Sequence, residues 1–145
     1  MIAVIDAASS RDLDAIVTLL VTSQLPTDGI ADHLANALVA RDGTRVVGVA
    51  ALELYPGGAL LRSVPVDDTV RGRGLGQRLV EATLARARQL GAPAVFLLTE
   101  TADQFFPRFG FHRIARDEVP DDVKQSVEFV SLCPASATVM RLMLG

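Results

Sequence analysis

The apolar residues of the first half of the chain fall in short runs broken by turn residues. Ile2 to Asp6 reads as a short strand. Ser9 and Ser10 carry side-chain oxygens that can cap a helix, and Ala15, Ile16, Leu19 and Leu20 then recur on one helical face. Pro26 to Ile30 is loop or a short helical turn, and Asn36 to Arg41 returns as a strand. Asp42-Gly43 is a strong hairpin signal, because both residues tolerate the positive φ of a tight hairpin turn. Arg45 to Tyr55 is a long apolar strand rich in Val, Ala and Leu. Pro56-Gly57-Gly58 makes another turn, and Ala59 to Val66 is a further strand. The first half is therefore expected to be mostly an antiparallel meander.

The pattern then changes. After the glycine-rich stretch VRGRGLGQRLV, Leu75, Leu79, Ala82, Thr83, Ala85 and Leu90 continue with helical spacing, and Gly91 stops the helix. Ala94 to Leu98 is short and all apolar, as a buried parallel strand requires, so this region reads as a βαβ crossover. Thr101 or Asp103 starts a helix that ends near Gly110, and Phe111 to Ala115 is a strand. Pro120 to Phe129 suits a short helix, and Ala137 to Leu144 closes the chain as a strand. The sum is an α+β fold with a mixed sheet flanked by helices.

Composition narrows the class. A chain of 145 residues, half of them apolar, fits one globular domain over residues 1–145. The net charge of -3 argues against a general nucleic-acid binder, so any anion site must be local. The single cysteine, Cys133, excludes an internal disulfide and a Cys-rich zinc site, and no metal is expected. No apolar run reaches membrane-spanning length and the N-terminus lacks a signal-peptide pattern, so a cytoplasmic protein without membrane partners is expected.

The chemistry concentrates in Arg71, Gly72, Arg73, Gly74, Leu75 and Gly76, between a strand and a helix. Loop glycines and a helix start are one reading. An anion cradle is the other: consecutive backbone N–H groups face one phosphate, the helix N-terminus adds partial positive charge, and the arginines add charge-assisted contacts. No Gly-Lys-Ser/Thr occurs, which removes the P-loop, and a Rossmann loop would follow the first strand.

Together with the preceding Leu61-Arg62-Ser63-Val64-Pro65-Val66-Asp67, this stretch resembles the acetyl-CoA-binding core of the GCN5-related N-acetyltransferases. Phe105-Phe106-Pro107-Arg108-Phe109-Gly110-Phe111 resembles the second signature of that family, F-Y-x-x-x-G-F, at its usual separation. The resemblance implies the GNAT fold: a mixed, mostly antiparallel sheet of about six to seven strands, flanked by about four helices and splayed between two central parallel strands. It implies that N–H groups of residues 71 to 76 hold the CoA pyrophosphate, with Phe106 and Arg108 also at the cofactor. The strand through Val64 and Val66 would pair with the pantetheine arm. A backbone N–H at Val64 or Val66 would polarise the thioester carbonyl while an acceptor amine attacks directly.

The chain departs from the pattern at one catalytic position. The tyrosine that protonates the departing thiolate falls on Phe106, which has no proton to give. Tyr55, at a turn, is a poor replacement. Cys133 is a candidate acid, with Ser131 and Ser136 weaker ones; Cys133 is equally read as a small buried apolar residue. For a base, Glu53 and Glu100 are the better carboxylates, and each also reads as a solvated strand end. His33 and His112 are weaker, and Arg62 or Arg108 could meet an acceptor carboxylate. The Cys-containing tail resembles small acetyltransferases of arsenic-resistance operons, some of which acetylate amino-acid-like toxic compounds. The resemblance thus implies acetyl-CoA as co-substrate, a small-molecule amine as acceptor, and association as a homodimer. A non-catalytic acyl-CoA-binding or regulatory module and a peptide or protein N-acetyltransferase are the competing readings.

Overall fold

In a computed structural model of the chain, the residues described are 3–62, 64–132 and 137–144. The elements are β1 (Val4–Ala7), α1 (Leu13–Thr22), β2 (Ala37–Asp42), β3 (Arg45–Tyr55), β4 (Gly58–Leu61), α2 (Leu75–Gln89), β5 (Ala94–Thr99), β6 (His112–Ile114) and β7 (Thr138–Met143). The fold is α+β: a seven-stranded mixed sheet in the order β1-β2-β3-β4-β5-β7-β6. With the two longest 3-10 segments, Ile30–Asn36 and Phe106–Phe109, the main helical segments among the described residues are about four, as expected. The chain divides into two compact units, one of residues 1–52 and 63–85, the other of 53–62 and 86–145.

In the first unit, β2 pairs antiparallel with both β1 and β3. The α1 face written as Ile16, Leu19 and Leu20 packs on Val39, Val49 and Ala51. Each such side chain, taken wholly from water, contributes about 2 kcal/mol. The entry to α1 is fixed by Asp12, whose carboxylate accepts from the Ser9 N–H (2.8 Å) and from both Nη groups of Arg41 (2.7 Å each). That arginine fork holds the Asp12 carboxyl far below the usual carboxylate range. α2 buries Leu75, Leu79 and Val80. It comes so close to β3 that a Cβ on Gly48 would lie 2.8 Å from Leu79 Cδ1, so Gly48 makes room for the helix.

In the second unit, β4 and β5 are parallel only at Ala59↔Val95 and Leu60↔Phe96, whereas β5 runs its full length against β7. The core here is Leu60, Ala94, Phe96, Val119, Val123 and Val139, with Tyr55 and Phe129 packed against it.

Three elements differ from the sequence reading. The strand expected over Ala59 to Val66 stops at Leu61. Pro65 has no N–H to give a ladder and restricts the residue before it, and the chain resumes only as an isolated antiparallel bridge of Val66 with Gly48. The helix expected from Thr101 or Asp103 is reduced to turns and the 3-10 segment Phe106–Phe109, with Pro107 inside it and Gly110 left-handed at φ 97° after it. Pro120 to Phe129 is not one helix: a 3-10 turn at Val123–Gln125 is followed by a π-helical segment, Glu128–Leu132. No helix among the described residues is long and apolar enough to cross a membrane.

Candidate active site

The glycine loop enters α2 as the sequence suggests. The Gly74 carbonyl accepts from the Arg78 N–H (3.1 Å), so Gly74 opens the helix. The N–H groups of residues 72 to 77 donate in none of the described hydrogen bonds. Gly72 and Gly74 stand at φ 83° and 73°, conformations that side chains resist, and a Cβ at either would meet nothing within 4 Å. The glycines thus serve the loop conformation and leave open space at their Cβ positions. This is the shape an anion requires at a helix start.

The two loop arginines differ. Arg71 is held back, its Nε 3.1 Å from the Val66 carbonyl and 3.0 Å from Asp68 Oδ1. Arg73 is exposed and takes part in none of the described ion pairs. Asp67 caps the turn before the loop, accepting from the Thr69 N–H (2.9 Å) and from Arg45 (2.7 Å). A groove of about 470 Å³ adjoins this corner, lined by Thr18 and Thr22 of α1, by Arg45, and by Val66, Asp67 and Arg71.

Just before the loop, the Pro65 carbonyl accepts from the Val49 N–H (3.2 Å) and the Asp67 N–H donates to the Val47 carbonyl (2.8 Å). In an antiparallel bridge of this kind the intervening residue, Val66, turns its own N–H away from the partner strand. The Val64 N–H donates in none of the described bonds.

The second signature forms an aromatic cluster in the other unit. Phe106 is buried edge-on to Phe105 and Phe111, with centroids 5.2 and 5.7 Å away. Arg108 folds back: its guanidinium lies 4.7 Å over the Phe105 ring and its Nε donates to the Phe105 carbonyl (2.9 Å).

The largest difference from the sequence reading lies at the end of β3. Glu53 is not a solvated strand end; it is 1% exposed, and Arg62 is 4% exposed. Arg62 Nη1 lies 3.3 Å from Glu53 Oε2, so Arg62 is engaged within the protein. The Tyr55 hydroxyl donates to Glu53 Oε1 at 2.6 Å. Burial and the Glu53 carboxylate push the Tyr55 hydroxyl up to about 12, so it remains a phenol. Ser126 is buried, and its Oγ accepts from the Glu128 N–H (3.3 Å). Glu128 is itself buried, and this burial raises its carboxyl to about 7; Arg62 opposes the shift and Glu53 adds to it.

Sequence reasoning missed Ser126 and Glu128. The available signal was a lone glutamate between Val127 and Phe129, read as part of a short helix. Glu100 is exposed just past β5 and joins none of these contacts. His33 sits half-buried in the 3-10 segment after α1, and His112 is exposed on β6. Cys133 and Ser136 lie outside the described residues. Among the described residues no three His, Cys, Asp or Glu side chains converge as a metal site.

A model of the acetyltransferase (GNAT) domain matches residues 33–113, which include both glycine loop and aromatic cluster. The amino-acid acetyltransferase of Mycobacterium tuberculosis is 40% identical over 81 residues, covering 54% of this chain and 45% of that protein. That of Ralstonia nicotianae is 33% identical over 91 residues, covering 61% of this chain and 20% of that protein. The chain thus spans less than half the length of these two relatives. Among solved structures, N-acetylglutamate synthase from Neisseria gonorrhoeae, complexed with coenzyme A and N-acetyl-glutamate, superposes with a TM-score of 0.85 at 20% identity, over 100% of this chain and 36% of that one. Rv2747 from Mycobacterium tuberculosis, in complex with CoA, superposes with a TM-score of 0.81 at 28% identity, over 98% and 99% of the two chains. By its glycine loop, its fold and the family match over residues 33–113, the chain belongs to the GNAT acetyltransferase family.

Proposed function

We propose that the protein transfers the acetyl group of acetyl-CoA to the amine of a small, amino-acid-like molecule. The observation that carries this reading is the run of N–H groups over residues 72 to 77, at the start of α2, that donate in none of the described hydrogen bonds, with open space at the Cβ positions of Gly72 and Gly74. The CoA pyrophosphate fits this cradle, and Arg73 adds charge where the protein as a whole is acidic. The pantetheine arm adds to the free side of the Val64–Val66 segment. A backbone N–H there stabilises the oxyanion as the amine nitrogen bonds to the thioester carbon. The C–S bond then breaks and the CoA thiolate leaves.

The ammonium group of the acceptor must first lose a proton. We assign its uptake to one of the two carboxylates singled out in the sequence, Glu53 or Glu100. Phe106 gives no proton to the thiolate, which leaves unassisted or takes one from Cys133. The amino-acid acceptor class is suggested by the names of the relatives. The arsenic-resistance reading rests on the tail around Cys133 alone, and we rank it second.

The test is mass spectrometry of an amine panel incubated with acetyl-CoA: amino acids, phosphinothricin-type compounds, polyamines and an N-terminal peptide. Acetylated amino acids support the proposal. Acetylated peptide alone assigns the chain to peptide substrates, and CoA binding with no product across the panel makes it a binding module.

A further inference from the structure

Two aspartates, Asp67 and Asp68, stand at the entry of the loop proposed to hold an anion. Bare carboxylates there would repel a pyrophosphate. Each is instead paired with an arginine. Asp67 Oδ1 accepts from the Thr69 N–H (2.9 Å) and from the Thr69 hydroxyl (2.7 Å), and its Oδ2 accepts from Arg45 Nη2 (2.7 Å). Arg45 Nη1 lies 3.4 Å from Thr69 Oγ1, so the three side chains close a ring. Arg45 opens β3, and the Asp67 N–H donates to the Val47 carbonyl (2.8 Å). Asp67 is therefore tied to β3 by its backbone and by its side chain.

The ring grips the turn that leads into the loop. Thr69 lies in the 3-10 turn Asp68–Val70, where the Val70 N–H donates to the Asp67 carbonyl (3.1 Å) and the Arg71 N–H to the Asp68 carbonyl (3.4 Å). Arg71 holds the same turn from its far end, through Val66 and Asp68. Beyond Arg71 the backbone passes through Gly72 and Gly74, both at positive φ. Glycine loses more conformational freedom on ordering than any other residue, so this stretch has the most to lose when it closes on a ligand. A loop that is competent only part of the time binds with an affinity reduced by that fraction. A fixed entry raises the fraction before the ligand arrives. Arg45 is half-exposed, so its pair with Asp67 adds little to the stability of the whole fold, and the effect of the ring is local.

We propose that Asp67, clamped by Arg45 and Thr69, is a positioning residue that holds the entry of the glycine loop in its anion-binding conformation. This role rests on the reading above, in which the loop holds the CoA pyrophosphate. Charge alone and loop-holding predict opposite signs. Removing a carboxylate beside an anion site tightens binding if the carboxylate contributes only its charge, and loosens binding if the carboxylate holds the loop. The pyrophosphate is bound alike in the ground and transition states, so the loss falls on KM for acetyl-CoA rather than on kcat.

The experiment is calorimetric titration of the full chain with CoA, for wild type, Asp67→Ala, Asp67→Asn, Arg45→Ala and the double variant Asp67→Ala/Arg45→Ala. Amide hydrogen exchange of each protein is measured without ligand. Asp67→Ala should raise the Kd for CoA about five- to tenfold, the size of effect that a lost cap carries, and speed exchange at Val70 and Arg71. Asp67→Asn keeps an acceptor for the Thr69 N–H and should restore most of both. Arg45→Ala should raise Kd about threefold by itself and add nothing to Asp67→Ala, because the two act as a unit. If wild type binds CoA and Asp67→Ala binds it as tightly or more tightly, the proposal is overturned and the cradle stands. An Arg45→Ala loss that persists in full beside Asp67→Ala makes Arg45 a phosphate ligand in its own right, and overturns the proposal too. A wild type that binds no CoA removes the cradle, and the proposal with it. Arg45→Ala keeps the test decisive if Asp67→Ala fails to fold: Kd and exchange both unmoved would overturn the proposal. With an acetylated substrate in hand, Asp67→Ala should raise KM for acetyl-CoA by the same factor as Kd, with kcat changed less than about twofold. A fall confined to kcat would contradict the assigned role.

Discussion

Replacing Glu128 by glutamine should make the protein more stable at alkaline pH and change little under acid conditions. The Glu128 carboxyl has an ordinary value of 4.5 and is raised to about 7 in the folded chain, chiefly by burial. Between those values the native state holds a proton that the unfolded state has released, so stability falls as pH rises. The contribution is fully present below the unfolded value and lost by the time pH has passed the folded one. The gap corresponds to about 3 kcal/mol, of which roughly 2.5 kcal/mol is lost between pH 5 and pH 8. Glutamine has the same shape and no charge, so its stability lacks this slope. Thermal or urea unfolding of both proteins at pH 5 and pH 8 measures the difference. The Tm of Glu128→Gln relative to wild type should rise by about 8 °C from the acid to the alkaline condition, given the entropy of unfolding of a chain this size. A difference between the two proteins that is the same at both pH values would refute the claim that Glu128 ionises only at a cost.

Other consequences follow from the same geometry. Gly74→Val should cost about 1–2 kcal/mol from the positive φ alone, yet abolish CoA binding by calorimetry, because the added side chain fills the space before the N–H groups. Binding that survives it would misplace the cradle. Arg62→Met takes the cation from the buried Glu53 carboxylate and should destabilise by about 3–5 kcal/mol, whereas the double change with Glu53→Leu should recover most of that loss in chemical denaturation. Asp12→Asn should cost roughly 3 kcal/mol by breaking the fork from Arg41. The folded Asp12 carboxyl is depressed below its ordinary 3.8, so its contribution is present above that value and lost as pH falls through the folded value. Acid melts of wild type should therefore show a loss below about pH 4 that Asp12→Asn lacks.

What was legible in the sequence was local. Arg45 to Tyr55 as a strand, the helix after the glycine loop and its stop at Gly91 all follow from patterns a few residues long. The antiparallel meander follows from the turn chemistry at Asp42-Gly43 and Pro56-Gly57-Gly58. The glycine loop and the helix start after it were legible because both are local features, with Gly72 and Gly74 at positive φ. Elements set by tertiary context were not. The strand through Val66 is cut short by Pro65, and the weak helical pattern of Pro120 to Phe129 breaks into turns that pack Val123 and Phe129 into a core. Glu53 was singled out for its carboxylate, but its burial with Arg62, nine residues on, depends on a hairpin whose facing side chains no spacing rule reveals. Glu128 was missed for the same reason: its significance comes from residues more than sixty positions earlier in the chain.

The central claim is that residues 71 to 76 bring acetyl-CoA to an amine. Mass spectrometry of the protein incubated with acetyl-CoA and the amine panel tests it most directly, with Gly74→Val run in parallel. The account predicts an acetylated amino acid that forms only with acetyl-CoA present and disappears with Gly74→Val. Product formation undiminished by Gly74→Val, or no acetylated amine from a wild-type protein that binds CoA, would contradict it.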